Sequence, residues 1–141
     1  MSFIKVAKNF CDENKFRFTK PRKQVLELLL SRSNPMGAYD ILEELSTENH
    51  KLSPPTIYRA IDFWVEQGFI HKIMSLNSYI ACKDRHTTNH IILFICDSCK
   101  KVNEVHIKED IDFFNINDSI KNFHPRQAFT EVNGLCAACT N

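Results

Sequence analysis

The sequence predicts an α+β fold, helical in its first half and strand-rich in its second. Three observations carry this. Apolar residues recur at helical spacing as far as Gly68 and in short strand-like runs after it. Four cysteines form two close pairs, Cys96-x2-Cys99 and Cys136-x2-Cys139, both in the second half. Lys15, Arg17, Lys20, Arg22 and Lys23 fall within nine residues that hold no acid. The length of 141 residues suits one domain, or two small ones sharing a core. With 43% apolar and 25% charged residues the chain is neither disordered nor collagen-like, nor is it a disulfide knot. Apolar runs such as Ile91 to Ile95 are too short to span a bilayer. Lys5 and Lys8 interrupt any apolar leader, so the expected compartment is the cytosol.

Ile4, Val6, Ala7 and Phe10 give a short amphipathic helix over Ser2 to Cys11. Thr19 caps a second, with Pro21 in its first turn, running through Val25 to Leu30 and ending near Pro35. Ala38 to Glu48 reads as a third, with Ile41, Leu42 and Leu45 facing inward. Ser53 caps a fourth, whose first turn holds Pro54 and Pro55 and which ends at Gly68. Phe69 to Met74 and Tyr79 to Cys82 then read as a hairpin around Ser75-Leu76-Asn77-Ser78. Helices followed by a hairpin are the sequence form of a winged helix-turn-helix. Lys83 to Asn89 is a polar linker. Strands at Ile91 to Ile95, Val102 to Ile107 and Gln127 to Val132, with a helix over Asp110 to Phe123, make a small α/β unit.

A CxxC pair presents two thiolates from one tight turn, and two such pairs complete a closed tetrahedral zinc site. A disulfide framework or a redox CxxC are the alternatives; the first suits a cytosolic chain poorly, and the second needs only one motif. Cys11 is most simply a small buried residue. Cys82 ends the hairpin, His71 lies on its other strand, His86 and His90 follow, and Glu104 lies beyond the first CxxC. A thiolate, imidazoles and a carboxylate suit Zn(II), although an isolated strand histidine is more often a surface or hydrogen-bonded residue.

Thr19-Lys20-Pro21-Arg22, Ala38-Tyr39-Asp40-Ile41, Pro55-Thr56-Ile57-Tyr58-Arg59-Ala60, Cys96-x2-Cys99 and Gly134-Leu135-Cys136-Ala137-Ala138-Cys139 resemble the ferric uptake regulator family over nearly the whole chain. Within it, the run from Pro54 to Lys72 and Asn77-Ser78-Tyr79 is most similar to the zinc uptake regulator branch. The resemblance implies a homodimeric, metal-responsive repressor of double-stranded operator DNA, acting on genes of zinc uptake and homeostasis. It implies a winged-helix DNA-binding domain over 1–82, a hinge over 83–90 and an α/β dimerisation domain over 91–141. Cys96, Cys99, Cys136 and Cys139 match the structural zinc site. His71, Cys82, His90 and Glu104 match the regulatory one, giving two zinc ions per chain. The loop after Cys82 is one residue shorter than the branch pattern, which makes His86 a substitute for His90. Tyr39 and Arg59 match DNA-contacting positions. Lys100 stands where the family usually has glycine, and Pro35 stands near where iron and peroxide sensors place a histidine ligand, which argues against those sensors.

On this reading the fourth helix enters the major groove. Thr56 and Tyr58 reach phosphates or a thymine methyl, and Arg59 forks onto guanine, unless Tyr58 and Arg59 only pin the helix to the backbone. The basic run, with Lys15, Lys20 and Arg22, follows the phosphates, or is simply a solvated helix start. No catalytic residue, small-molecule substrate or membrane partner is expected. A catalytic zinc keeps an open position, and the sequence has neither a Gly-rich phosphate loop nor a nucleophile elbow.

Overall fold

The computed structural model describes residues 2–82, 90–107, 122–123 and 127–140. The chain divides into two units, Met1–Arg85 and His86–Asn141, each with its own sheet.

In the first unit, helix α1 spans Phe3–Glu13 and is capped by Ser2, whose hydroxyl accepts the Lys5 N–H at 3.3 Å. Helix α2 spans Lys20–Ser31, and the Thr19 hydroxyl accepts the Arg22 N–H at 3.4 Å. Helix α3 covers Ala38–Leu45, three residues short of the expected Glu48. Ser46 turns to extended backbone, and its hydroxyl accepts the Leu52 N–H at 3.3 Å. Thr47 and His50 then exchange backbone bonds of 2.9 and 3.2 Å. A local turn therefore takes the groups that a longer helix would have used.

Helix α4 spans Pro54–Glu66 and is capped by Ser53. Its end is a Schellman motif: Gly68 sits at φ 80°, its N–H donates to Val65 at 3.1 Å, and the Phe69 N–H donates to Trp64 at 2.9 Å. Strands β1 (Ile70–Ile73) and β2 (Ser78–Ala81) pair antiparallel, with His71 opposite Ile80. They are joined by a 3₁₀ turn over Met74–Leu76 and by Asn77 at φ 46°. Met36 and Tyr79 exchange backbone bonds of 3.0 and 2.8 Å, so the α2–α3 connection forms an extra edge on this hairpin. Leu26, Ile41, Ile57, Ile61, Trp64, Phe69 and Ile70 form the core. A fully buried side chain of this size contributes about 1.5–3 kcal/mol of transfer free energy.

In the second unit, β3 (His90–Cys96) lies between β4 (Val102–Ile107), which is antiparallel to it, and β5 (Ala128–Gly134), which is parallel. Ile91, Leu93 and Ile95 of the central strand are buried. A parallel partner needs a crossover connection. The helix expected there, Asp110 to Phe123, lies outside the described residues over 110–121, and its last two positions, Asn122 and Phe123, are not helical. The linker expected over Lys83 to Asn89 also lies outside them. Among the described residues, no helix is long and apolar enough to cross a membrane.

Candidate metal centre and nucleic-acid interface

The two CxxC pairs meet where β3 and β5 end side by side. Register places Cys96 against Gly134, and the Asp97 N–H donates to the Gly134 carbonyl at 2.8 Å. The first knuckle thereby starts next to the segment that carries the second. Cys136 donates its N–H to Cys96 Sγ at 3.4 Å, while Cys139 and Thr140 turn back onto the Cys136 carbonyl at 2.9 and 3.1 Å. All four Sγ atoms lie within 4.8 Å of one another. A tetrahedral zinc with sulfur at about 2.3 Å requires sulfurs about 3.8 Å apart, and Cys99 Sγ lies 3.8 Å from Cys136 Sγ. No disulfide joins any of the four cysteines. The donor set and its spacing therefore fit zinc. The N–H groups of Cys136, Cys99 and Ser98 stabilise the Cys96 thiolate and pull its pKa down to about 6. The neighbouring Cys136 thiol pushes Cys139 up to about 11, so a metal must displace a proton there.

Lys100 occupies the left-handed region at φ 63°. Its N–H donates to the Cys96 carbonyl at 3.0 Å and its ammonium to the Asp97 carbonyl at 2.7 Å. The knuckle thus makes a turn that suits glycine while carrying a lysine.

The second proposed ligand set divides between the units. In the first unit, His71 on β1 and Cys82 just past β2 are buried, at 4% and 2% exposure. The Cys82 N–H donates to Phe69 at 2.8 Å and extends the hairpin pairing. That pairing puts both side chains on one face, with their ligand atoms within 4.8 Å of each other. In the second unit, Leu93 opposes Glu104 and His90 opposes Ile107. Alternation then places His90 and Glu104 on opposite faces of the sheet. His90 Nε2 lies 2.9 Å from the Thr130 hydroxyl, whereas Glu104 meets His106 at 3.0 Å. The expected pairing of His90 with Glu104 is not formed, because strand period separates them. His86 lies outside the described residues.

On α4, Ile57, Ala60, Ile61, Phe63 and Trp64 are buried, and Val65 is half-buried. This leaves Tyr58, 49% exposed, and Arg59 on the outer face. Prolines at its first two positions remove N–H groups that could have bound phosphate. The Ser53 hydroxyl takes the Thr56 N–H at 3.4 Å and meets the Thr56 hydroxyl at 2.8 Å. A phosphate approaching this end would therefore meet side chains rather than free N–H groups. Tyr39 on α3 is 71% exposed. Lys15, Arg17, Lys20 and Lys23 are exposed. Arg22 differs from them. Its guanidinium carbon lies 3.6 Å above the Phe63 ring and it donates to the Arg17 carbonyl.

The sequence model of the ferric uptake regulator family matches residues 13–129. This chain belongs to the ferric uptake regulator family. It is 37% identical over 137 residues to the zinc uptake regulation protein of Escherichia coli K12, covering 94% of this chain and 78% of that one. A solved structure of a zinc uptake regulator complexed with zinc and DNA matches with a TM-score of 0.85 and 36% identity, over 97% of this chain and 92% of that one. A second, a holo XcZur crystal structure, matches with a TM-score of 0.83 and 31% identity, over 98% and 96%.

Two features of this family member escaped the sequence reading. His106 is one; its only signal was the two-residue spacing from Glu104 on a strand. The packing of Arg22 on Phe63 is the other; nothing in a basic run distinguishes the member that folds inward.

Proposed function

We propose that this chain is a zinc-responsive transcriptional repressor that binds operator DNA as a homodimer in the cytoplasm and controls zinc uptake and homeostasis genes. The observation that carries it is its likeness, along 97% of its length, to a regulator solved with zinc and DNA. The chain is read as a regulator and not as an enzyme.

Zinc, when bound, supplies a tetrahedral centre that four donors can share. Cys96, Cys99, Cys136 and Cys139 lose their protons and tie the C-terminal segment to the end of β3, which is a folding role. His71 and Cys82 are assigned to a regulatory zinc together with Glu104. Of the histidines expected from the sequence, His86 then remains for the fourth position. Ligands drawn from both units couple zinc binding to DNA binding only if one conformer holds them better than the others. Arg59 is assigned a forked contact to a guanine edge, with Tyr58, Tyr39 and Thr56 beside it. Lys15 and Lys20 lie along the phosphates. Arg22 belongs to the same basic run, though its packing on Phe63 supports an indirect part. The dimer is supported by Phe94, Val105 and Val132, which are exposed apolar residues that the register places on one face of the sheet.

An iron- or peroxide-responsive regulator is the second reading. Pro35 in place of the histidine of those sensors, and the soft Cys82 thiolate, favour zinc. The test is binding to a duplex selected from a random pool, titrated at buffered free Zn(II), Fe(II) and Mn(II). Zinc alone is expected to raise affinity at low concentration. An equal response to Fe(II) favours the second reading.

A further inference from the structure

We propose that His106 positions Glu104 as a metal ligand: its Nε2–H donates to the carboxylate oxygen Oε1 and so fixes how the carboxylate is turned. This rests on the reading above that Glu104 belongs to the regulatory site.

The arrangement follows from β4 itself. Residues two apart on a strand share a face, and Glu104 and His106 use that spacing to meet, with Nε2 3.0 Å from Oε1. Both side chains are largely withdrawn from water, at 13% exposure for Glu104 and 8% for His106. A carboxylate in such a place is oriented by its hydrogen bonds, because water no longer competes for it. The contact assigns the ring proton to Nε2.

The other histidine of this sheet does not compete for the role. His90 projects from the opposite face and meets the Thr130 hydroxyl at 2.9 Å. Of the two described histidines of this unit, His106 is therefore the one that can govern the Glu104 carboxylate. Carboxylates that bind metals are commonly held by such a partner, and its removal typically lowers metal affinity about 10–100-fold. His106 is then a positioning residue. It sets how well the second zinc is held while leaving the four-cysteine site alone.

The experiment is a competition of the full-length, zinc-loaded chain against a chelator of known zinc affinity. The variants are His106→Leu, His106→Gln and Glu104→Ala. Retention of the first zinc and the thermal unfolding midpoint report folding. His106→Leu is expected to weaken the second zinc by about 10–100-fold. His106→Gln is expected to restore most of that affinity, because its amide nitrogen occupies the place of Nε2 and donates the same bond. The amide is a poor zinc ligand, so this rescue separates an orienting donor from a direct ligand. If His106→Leu holds the second zinc as tightly as the parent while Glu104→Ala loses it, His106 only packs and the proposal fails alone. If His106→Gln loses that zinc as fully as Glu104→Ala, the imidazole is itself a ligand and the proposal also fails. If Glu104→Ala leaves the second zinc untouched, the assignment of Glu104 fails and takes the proposal with it.

Discussion

Lys100 illustrates how a single residue can hold a metal turn in an unfavourable conformation. The left-handed region costs a non-glycine residue roughly 1–2 kcal/mol, and Lys100 stays there at φ 63° because its N–H and its ammonium both bond within the knuckle. Lys100→Gly is expected to remove the strain and stabilise the zinc-loaded chain by about 0.5–1 kcal/mol, the glycine's own entropy offsetting the rest. A rise in the thermal midpoint checks it. The ligands themselves give the opposite result. Cys96→Ser or Cys139→Ser should lose the tightly held zinc and unfold the second unit, read by zinc content and circular dichroism. Acid should act in the same direction. Cys96 has its pKa lowered to about 6, so its thiolate is favoured above that value and lost as pH falls through it. Because protons compete with zinc for all four thiolates, zinc content should fall as the pH is lowered and recover as it is raised. The two CxxC motifs made this site legible from the sequence, because spacing within a turn is local. The pairing of Glu104 with His106 was not legible, because it depends on which strand face each residue takes.

At the scale of elements, caps and periods carried most of the reading. Thr19 and Ser53 cap helices as expected where a hydroxyl precedes an apolar repeat, Ser2 proves to be a cap rather than the first helical residue, and β4 has the expected ends. What the sequence hid were choices between competing local bonds. The third helix stops early because Ser46 and the Thr47–His50 turn take over its last groups. Gly68 shows the converse, a boundary that one residue type dictates. A Cβ there meets no atom within 4 Å, so Gly68→Ala tests conformation alone and should cost about 1–2 kcal/mol. Urea unfolding measures it. On α4, the buried face fixes which side chains remain outside. Arg59→Ala should remove about 1–3 kcal/mol of discrimination at one operator position, whereas Lys20→Ala should weaken all sequences alike and reduce the salt slope by about 1. Competition against random DNA at several salt concentrations separates them. Equal losses on specific and random DNA would make Arg59 a phosphate anchor.

In the whole molecule, the function proposed above gives one zinc a folding role and a second the control of DNA binding. Cys82 divides these roles. It is not one of the four paired cysteines, and serine preserves its shape while offering a poor donor. Its burial beside His71 supports a ligand role, but a buried thiol can equally be a core residue. The deciding measurement is the DNA affinity of Cys82→Ser and of the parent chain across buffered free zinc, with zinc content determined on the same samples. The parent should gain roughly 5–150-fold in affinity, the range of a typical allosteric coupling. The variant should keep one zinc per chain, remain a folded dimer and show no gain. A variant that still binds two zinc ions and still responds to free zinc would contradict the account and leave Cys82 as a buried residue of the hairpin.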